Sequence, residues 1–127
     1  MADMTTPLKR VRGLGSARSG TDHFWQQRLT ALANVPLVIF FVILVISLAG
    51  ESYEVVLDRL ASPWIAIFLV LTIASITYHM RLGMQVVIED YVHGEPQRIL
   101  LIVANIFFAL IVASASIFAV LKISFGG

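Results

Sequence analysis

The chain contains no cysteine, so it builds no disulfide framework, no thiolate zinc site and no iron–sulfur cluster of its own. Charge is also scarce. Asp, Glu, Lys and Arg make up 13% of the 127 residues, against about 25% in soluble domains. The net charge of +1 leaves no basic footprint for nucleic acid. Histidine is rarer still: there are three, and His79 alone lies inside a long apolar run. Apolar residues fill the rest. They form 58% of the chain, with a mean hydropathy of +0.88, where soluble domains average about 45–50%. This is the composition of an integral membrane protein. Its length allows one small bundle.

Residues 1–20 are polar and basic, with Lys9, Arg10, Arg12 and Arg18 set among Gly13, Gly15 and Gly20. They read as a largely irregular tail, and residues 21–127 read as a single membrane domain. Thr21-Asp22-His23-Phe24-Trp25 can cap and begin a helix, with two aromatics suited to the membrane–water boundary. The first apolar span covers 29–49, interrupted by Asn34 and Pro36 and closed near Gly50. Proline is tolerated in a membrane helix when neighbours satisfy the freed carbonyl, so one helix with a kink is expected. The apolar stretch is longer than that of a signal peptide, so the span is read as retained.

Pro63 suits a first helical turn. The second span runs from there to about Tyr91, where Gly94 and Pro96 break it. A bilayer core takes about 20 helical residues, so the last turns of this helix should reach the headgroups or a soluble partner. The third span, 99–121, carries no charge. Helices are expected over about 21–50, 63–92 and 97–123.

Five basic residues precede the first span, Arg59 lies in the first connection, and Arg98 lies in the second. The positive-inside rule puts the N-terminus and second connection in the cytoplasm, and the first connection and C-terminus outside. His79 then lies in the inner half of the second helix, with Asp90-Tyr91 at its cytoplasmic mouth.

A buried imidazole at membrane depth is costly without a partner. At about 100° per residue, His79, Gly83, Val86 and Asp90 share one stripe, and Arg81 points to nearly the opposite side. His79 is either a haem ligand or a structural or proton-relay histidine. One histidine gives one axial ligand, so a six-coordinate haem needs another chain. Gly83 either leaves room for a flat macrocycle or packs closely against a helix. Asp90 and Tyr91 suit a substrate with a carbonyl or hydroxyl head, or form an interfacial anchor beside a solvated carboxylate. Arg28 can bind a propionate or snorkel to lipid phosphate. His23 can assist at that edge or be solvated.

The stretch His79-Met80-Arg81-Leu82-Gly83-Met84-Gln85-Val86-Val87-Ile88-Glu89-Asp90-Tyr91-Val92 resembles the haem-and-quinone segment of the small hydrophobic membrane-anchor subunit of succinate dehydrogenase, respiratory complex II. Gly20-Thr21-Asp22-His23-Phe24-Trp25-Gln26-Gln27-Arg28 resembles that family's entry to its first helix. The similarity runs from about residue 15 to the C-terminus.

The resemblance implies an all-α membrane protein. Its three transmembrane helices would pack with a second, larger cytochrome b-type anchor subunit into a haem-binding bundle. It implies that His79 is an axial ligand of haem b iron, with Gly83 beside the macrocycle and Arg28 at a haem propionate. His23 falls at the same edge, although Asp22-His23 stands where the family carries a His-Asp order. Tyr91 and Asp90 would form part of the ubiquinone site. FAD and iron–sulfur clusters would belong only to the flavoprotein and iron–sulfur partner subunits. The protein would therefore act only as a subunit of the enzyme, in a bacterial inner (cytoplasmic) membrane. Two other readings stay open: the anchor of a quinol:fumarate reductase, with the direction reversed, and a haem-free transport or assembly protein using His79 and Arg81 as an ion path.

Overall fold

Proline and glycine set the helix boundaries. Pro63 opens one long helix, Pro96 lies in the first turn of another, and Gly50 ends the first span in the left-handed region at φ 83°. The computed structural model describes residues 6–13 and 18–126. In chain order the helices are α1 (Pro7–Val11), α2 (Arg18–Leu48), α3 (Tyr53–Ala61), α4 (Pro63–Tyr91) and α5 (Glu95–Ser124). The three expected membrane-spanning helices are present as α2, α4 and α5. Pro36 sits inside α2 without ending it.

The structure departs from expectation at both polar segments. The tail read as largely irregular contains α1, and α2 begins at Arg18. Residues 1–5 and 14–17 of that tail lie outside the described residues. The first connection, outside the expected helices, holds α3. Ser52 caps it by accepting from the Val55 amide at 3.4 Å, Glu54 lies in its first turn and Arg59 in its last. Those charges complement the helix dipole. The Arg59 guanidinium also donates to the Ser47 carbonyl at the end of α2, at 3.4 Å.

α4 sits between α2 and α5, with α3 against α4 and α5. Short connections make sequential long helices antiparallel. The apolar core is small: Leu44 from α2, Ala66, Leu69, Leu82 and Ile88 from α4, and Ala109 from α5. Leu82 is the most enclosed, at 2% exposure. Phe, Leu, Ile and Val side chains remain exposed along all three long helices. An apolar surface of that extent is compatible with lipid or partner helices and not with water. Together with the three spans, it makes this a multi-pass membrane protein.

At about 1.5 Å per residue, the 29 residues of α4 extend about 43 Å, beyond the roughly 30 Å hydrocarbon core. One end of α4 must therefore leave the apolar layer.

Midway along α2, Asn34 Oδ1 accepts a hydrogen bond from the Ser75 hydroxyl of α4 at 2.6 Å. Interhelical hydrogen bonds in membranes contribute about 0.6 kcal/mol on average and reach about 1.7 kcal/mol. Ser75→Ala is expected to lower the stability of the purified, detergent-solubilised protein within that range, measured by thermal or denaturant unfolding. No change would show that the Asn34 amide finds an equal partner elsewhere.

Candidate functional site

The polar groups of the bundle line up between α2 and α4. In α2, Gln26, Thr30 and Asn34 recur every four residues and so share one face. Each meets α4. The Tyr78 hydroxyl donates to Gln26 Oε1 at 2.7 Å, Thr30 Oγ1 lies 3.0 Å from His79 Nδ1, and Ser75 bonds Asn34. The stripe is a polar seam between α2 and α4, and a second polar contact, Asn105 with Arg81, joins α4 to α5.

His79 is half-buried at the centre of this seam. Nδ1 is engaged by Thr30, and Nε2 has no hydrogen-bond partner among the described residues. One turn on, a Cβ built at Gly83 would sit 3.7 Å from Gln27 Nε2, an ordinary contact. The packing of this chain therefore does not itself demand a glycine there. That observation weakens the close-packing reading of Gly83, whose near neighbour across the seam is the Gln27 side chain. Among the described residues no three His, Asp or Glu side chains converge to hold an ion. The chain thus offers a single imidazole rather than a metal cage. An open ring nitrogen, the other nitrogen tethered, and a missing side chain one turn away together fit one axial side of a haem.

Asp90 and Tyr91 lie in the last turn of α4, both exposed, with Tyr91 at 78%. Neither makes a hydrogen bond or ion pair among the described residues. Tyr91 is twelve residues from His79, about 18 Å along the axis. The grooves between helices lie elsewhere: one of about 830 Å³ between α3 and α5, and two of about 390 and 440 Å³ between α4 and α5. None of these three is lined by His79, Asp90 or Tyr91.

Arg28 is exposed, on the face of α2 roughly opposite Thr30, with its guanidinium 4.5 Å from the centroid of the Phe24 ring. His23 shares the Thr30 face, seven residues earlier, and is exposed. The structure therefore brings His79 and Gly83 together along one seam, leaves His23 exposed on the same face of α2 beyond it, and places Arg28, Asp90 and Tyr91 outside it.

Arg81 points toward α5. Its guanidinium lies 5.9 Å from the Tyr78 ring centroid, its Nε is buried without a partner, and its backbone carbonyl accepts from Asn105 Nδ2 at 2.9 Å. Sequence reasoning missed Thr30, Gln26 and Tyr78. The four-residue spacing of polar side chains at 26, 30 and 34 was the available clue.

Residues 2–113 match the family described as succinate dehydrogenase/fumarate reductase transmembrane subunit. The chain is 31% identical to the succinate dehydrogenase hydrophobic membrane anchor subunit of Paracoccus denitrificans over 121 residues, 95% of this chain and 93% of the relative. It is 31% identical to the subunit of the same name from Rickettsia bellii over 118 residues, 93% of this chain and 94% of that one. The succinate dehydrogenase membrane anchor subunit of Reclinomonas americana is 35% identical over 86 residues, 65% of this chain and 71% of the relative. No solved structure matches the chain.

Proposed function

The chain belongs to the family of succinate dehydrogenase/fumarate reductase transmembrane subunits, and from that premise we propose that it is the small anchor of a succinate:ubiquinone oxidoreductase, with His79 as one axial ligand of haem b. The arrangement of His79 carries this reading. Its Nδ1 is tethered across the seam, its Nε2 is open, and it stands in the one apolar span that holds a histidine.

A bound haem would supply reversible one-electron chemistry. This chain's own residues bind, orient and handle protons. His79 presents a neutral nitrogen at membrane depth. Gly83 keeps the space beside it clear. Arg28 offers paired donors to a propionate carboxylate, which arginine geometry suits, and His23 offers a further donor at that edge. Leaving Phe24 for a carboxylate would cost Arg28 only an exposed cation–π contact, about 0.5–1 kcal/mol.

Ubiquinone is the substrate. The Tyr91 phenol donates a hydrogen bond to a quinone carbonyl oxygen, and the Asp90 carboxylate beside it accepts and passes on protons. Both groups are exposed and make no side-chain hydrogen bond or ion pair among the described residues, as a surface completed by other subunits would. Those subunits are a larger cytochrome b-type anchor, an iron–sulfur protein and a flavoprotein, the last two carrying the clusters and FAD. Without cysteine this chain holds no iron–sulfur cluster through thiolates. Its setting is a bacterial inner membrane with the N-terminus cytoplasmic and the C-terminus periplasmic.

Gentle solubilisation followed by purification through this chain tests the reading. The expected preparation contains the three partner subunits and shows a b-type absorption spectrum. A colourless preparation, or a chain that purifies without any dehydrogenase, overturns it.

A further inference from the structure

We infer that Thr30 is a positioning residue for the His79 ligand: its hydroxyl accepts the Nδ1 proton and so holds the imidazole in the tautomer and rotation that present Nε2 as a lone pair. This rests on the reading of His79 as an axial ligand.

The argument begins with a count of protons. The Thr30 hydroxyl has one proton, and two backbone acceptors are in reach: the Gln26 carbonyl at 2.8 Å and the Gln27 carbonyl at 3.0 Å. Threonine in a helix commonly donates back to a carbonyl three or four residues earlier. With that proton committed, Oγ1 turns lone-pair density toward α4, where His79 Nδ1 lies 3.0 Å away. The imidazole must then be the donor, and its proton sits on Nδ1. A neutral imidazole protonated on Nδ1 is bare at Nε2.

The opposite tautomer would put an N–H where a metal ligand needs a lone pair. A ligating histidine needs an acceptor for its other ring nitrogen. Among the described residues Thr30 is the one partner of His79. The bond also spans two helices, so the rotation of the ring is fixed by the register of α2 against α4.

A hydrogen bond from Nδ1–H raises the basicity of Nε2. A more basic ligand favours ferric over ferrous iron, so loss of the acceptor moves the haem midpoint potential upward. The test compares the whole purified complex carrying Thr30→Val, nearly isosteric without the hydroxyl, with Thr30→Ser, which keeps it. Outer-shell changes commonly cost about tenfold or more in affinity. If that tenfold falls on the ferric state, the potential rises by about 59 mV at one electron.

The expected result is an upward shift and an altered low-spin ferric electron paramagnetic resonance signal in Thr30→Val, with both restored in Thr30→Ser. A wild-type potential and signal in Thr30→Val, or an equal shift in Thr30→Ser, overturns the role of Thr30. If Thr30→Val fails to assemble, Thr30→Ala gives the same reading with less bulk. The ligand assignment fails separately: His79→Ala with an unchanged haem spectrum removes the premise, whatever the Thr30 variants do.

Discussion

His79→Ala abolishes or displaces the reduced haem absorption band of the purified complex and leaves the helical bundle assembled. The two halves of this result have different physical origins. The first follows from the proposed ligation: a methyl group has no lone pair with which to hold iron. The second follows from the seam. Removing the imidazole leaves Thr30 still bonded to the Gln26 and Gln27 carbonyls, so its hydroxyl proton keeps a partner. The contacts on either side, Tyr78 to Gln26 and Ser75 to Asn34, do not involve His79. The fold therefore loses one interhelical hydrogen bond, about 0.6 kcal/mol on average in membranes, and some contact of a half-buried ring. That loss is too small to dissolve three long packed helices. Absorption spectra, subunit content and helix content from far-ultraviolet circular dichroism, taken on one sample, separate the effects. An unchanged reduced band refutes the ligand assignment. Loss of subunits together with the band would make His79 a structural residue.

Much of this was legible in the sequence because a bilayer enforces simple rules. A helix is the only open structure that satisfies its own backbone in lipid, so three apolar runs became three helices, and Pro63, Gly94 and Pro96 fixed their ends. α3 was not legible as a helix. Its nine residues mix Glu54, Asp58 and Arg59 with apolar side chains, and it is held by the Ser52 cap, by the Arg59 bond to the Ser47 carbonyl and by docking against α4 and α5.

The candidate site was legible by residue type and not by partner. Periodicity within α4 placed His79, Gly83 and Asp90 on one stripe, but periodicity carries no information about which residue of another helix lies opposite. Thr30 became visible only once the register of α2 against α4 was known. Arg28 shows the converse. Its place at the end of the first span suggested a propionate or a lipid phosphate as its partner, and rotation about the axis puts it on nearly the opposite face from Thr30. If Arg28 holds a propionate, it would do so from outside the seam between α2 and α4.

Tyr91→Phe lowers succinate-driven quinone reduction about two- to twelvefold and leaves electron transfer to a soluble dye unchanged. The estimate follows from one hydrogen bond to a carbonyl, which contributes about 0.5–1.5 kcal/mol, converted at about 1.4 kcal/mol per tenfold in rate. Phenylalanine retains the ring and removes only the oxygen. Because the phenol makes no hydrogen bond among the described residues and is 78% exposed, its loss orphans none of them. The substitution therefore probes what the phenol meets outside the chain. Dye reduction draws electrons before the quinone and reports whether the soluble subunits remain docked. A fall in both activities would assign Tyr91 to assembly, as a contact for the subunits seated at the end of α4. Unchanged quinone reduction would assign it to the membrane boundary as an aromatic anchor. Only the split result gives the phenol a role at the quinone, and Asp90→Asn should then reproduce the split more weakly, since the amide keeps the acceptor oxygen and loses the charge that passes protons.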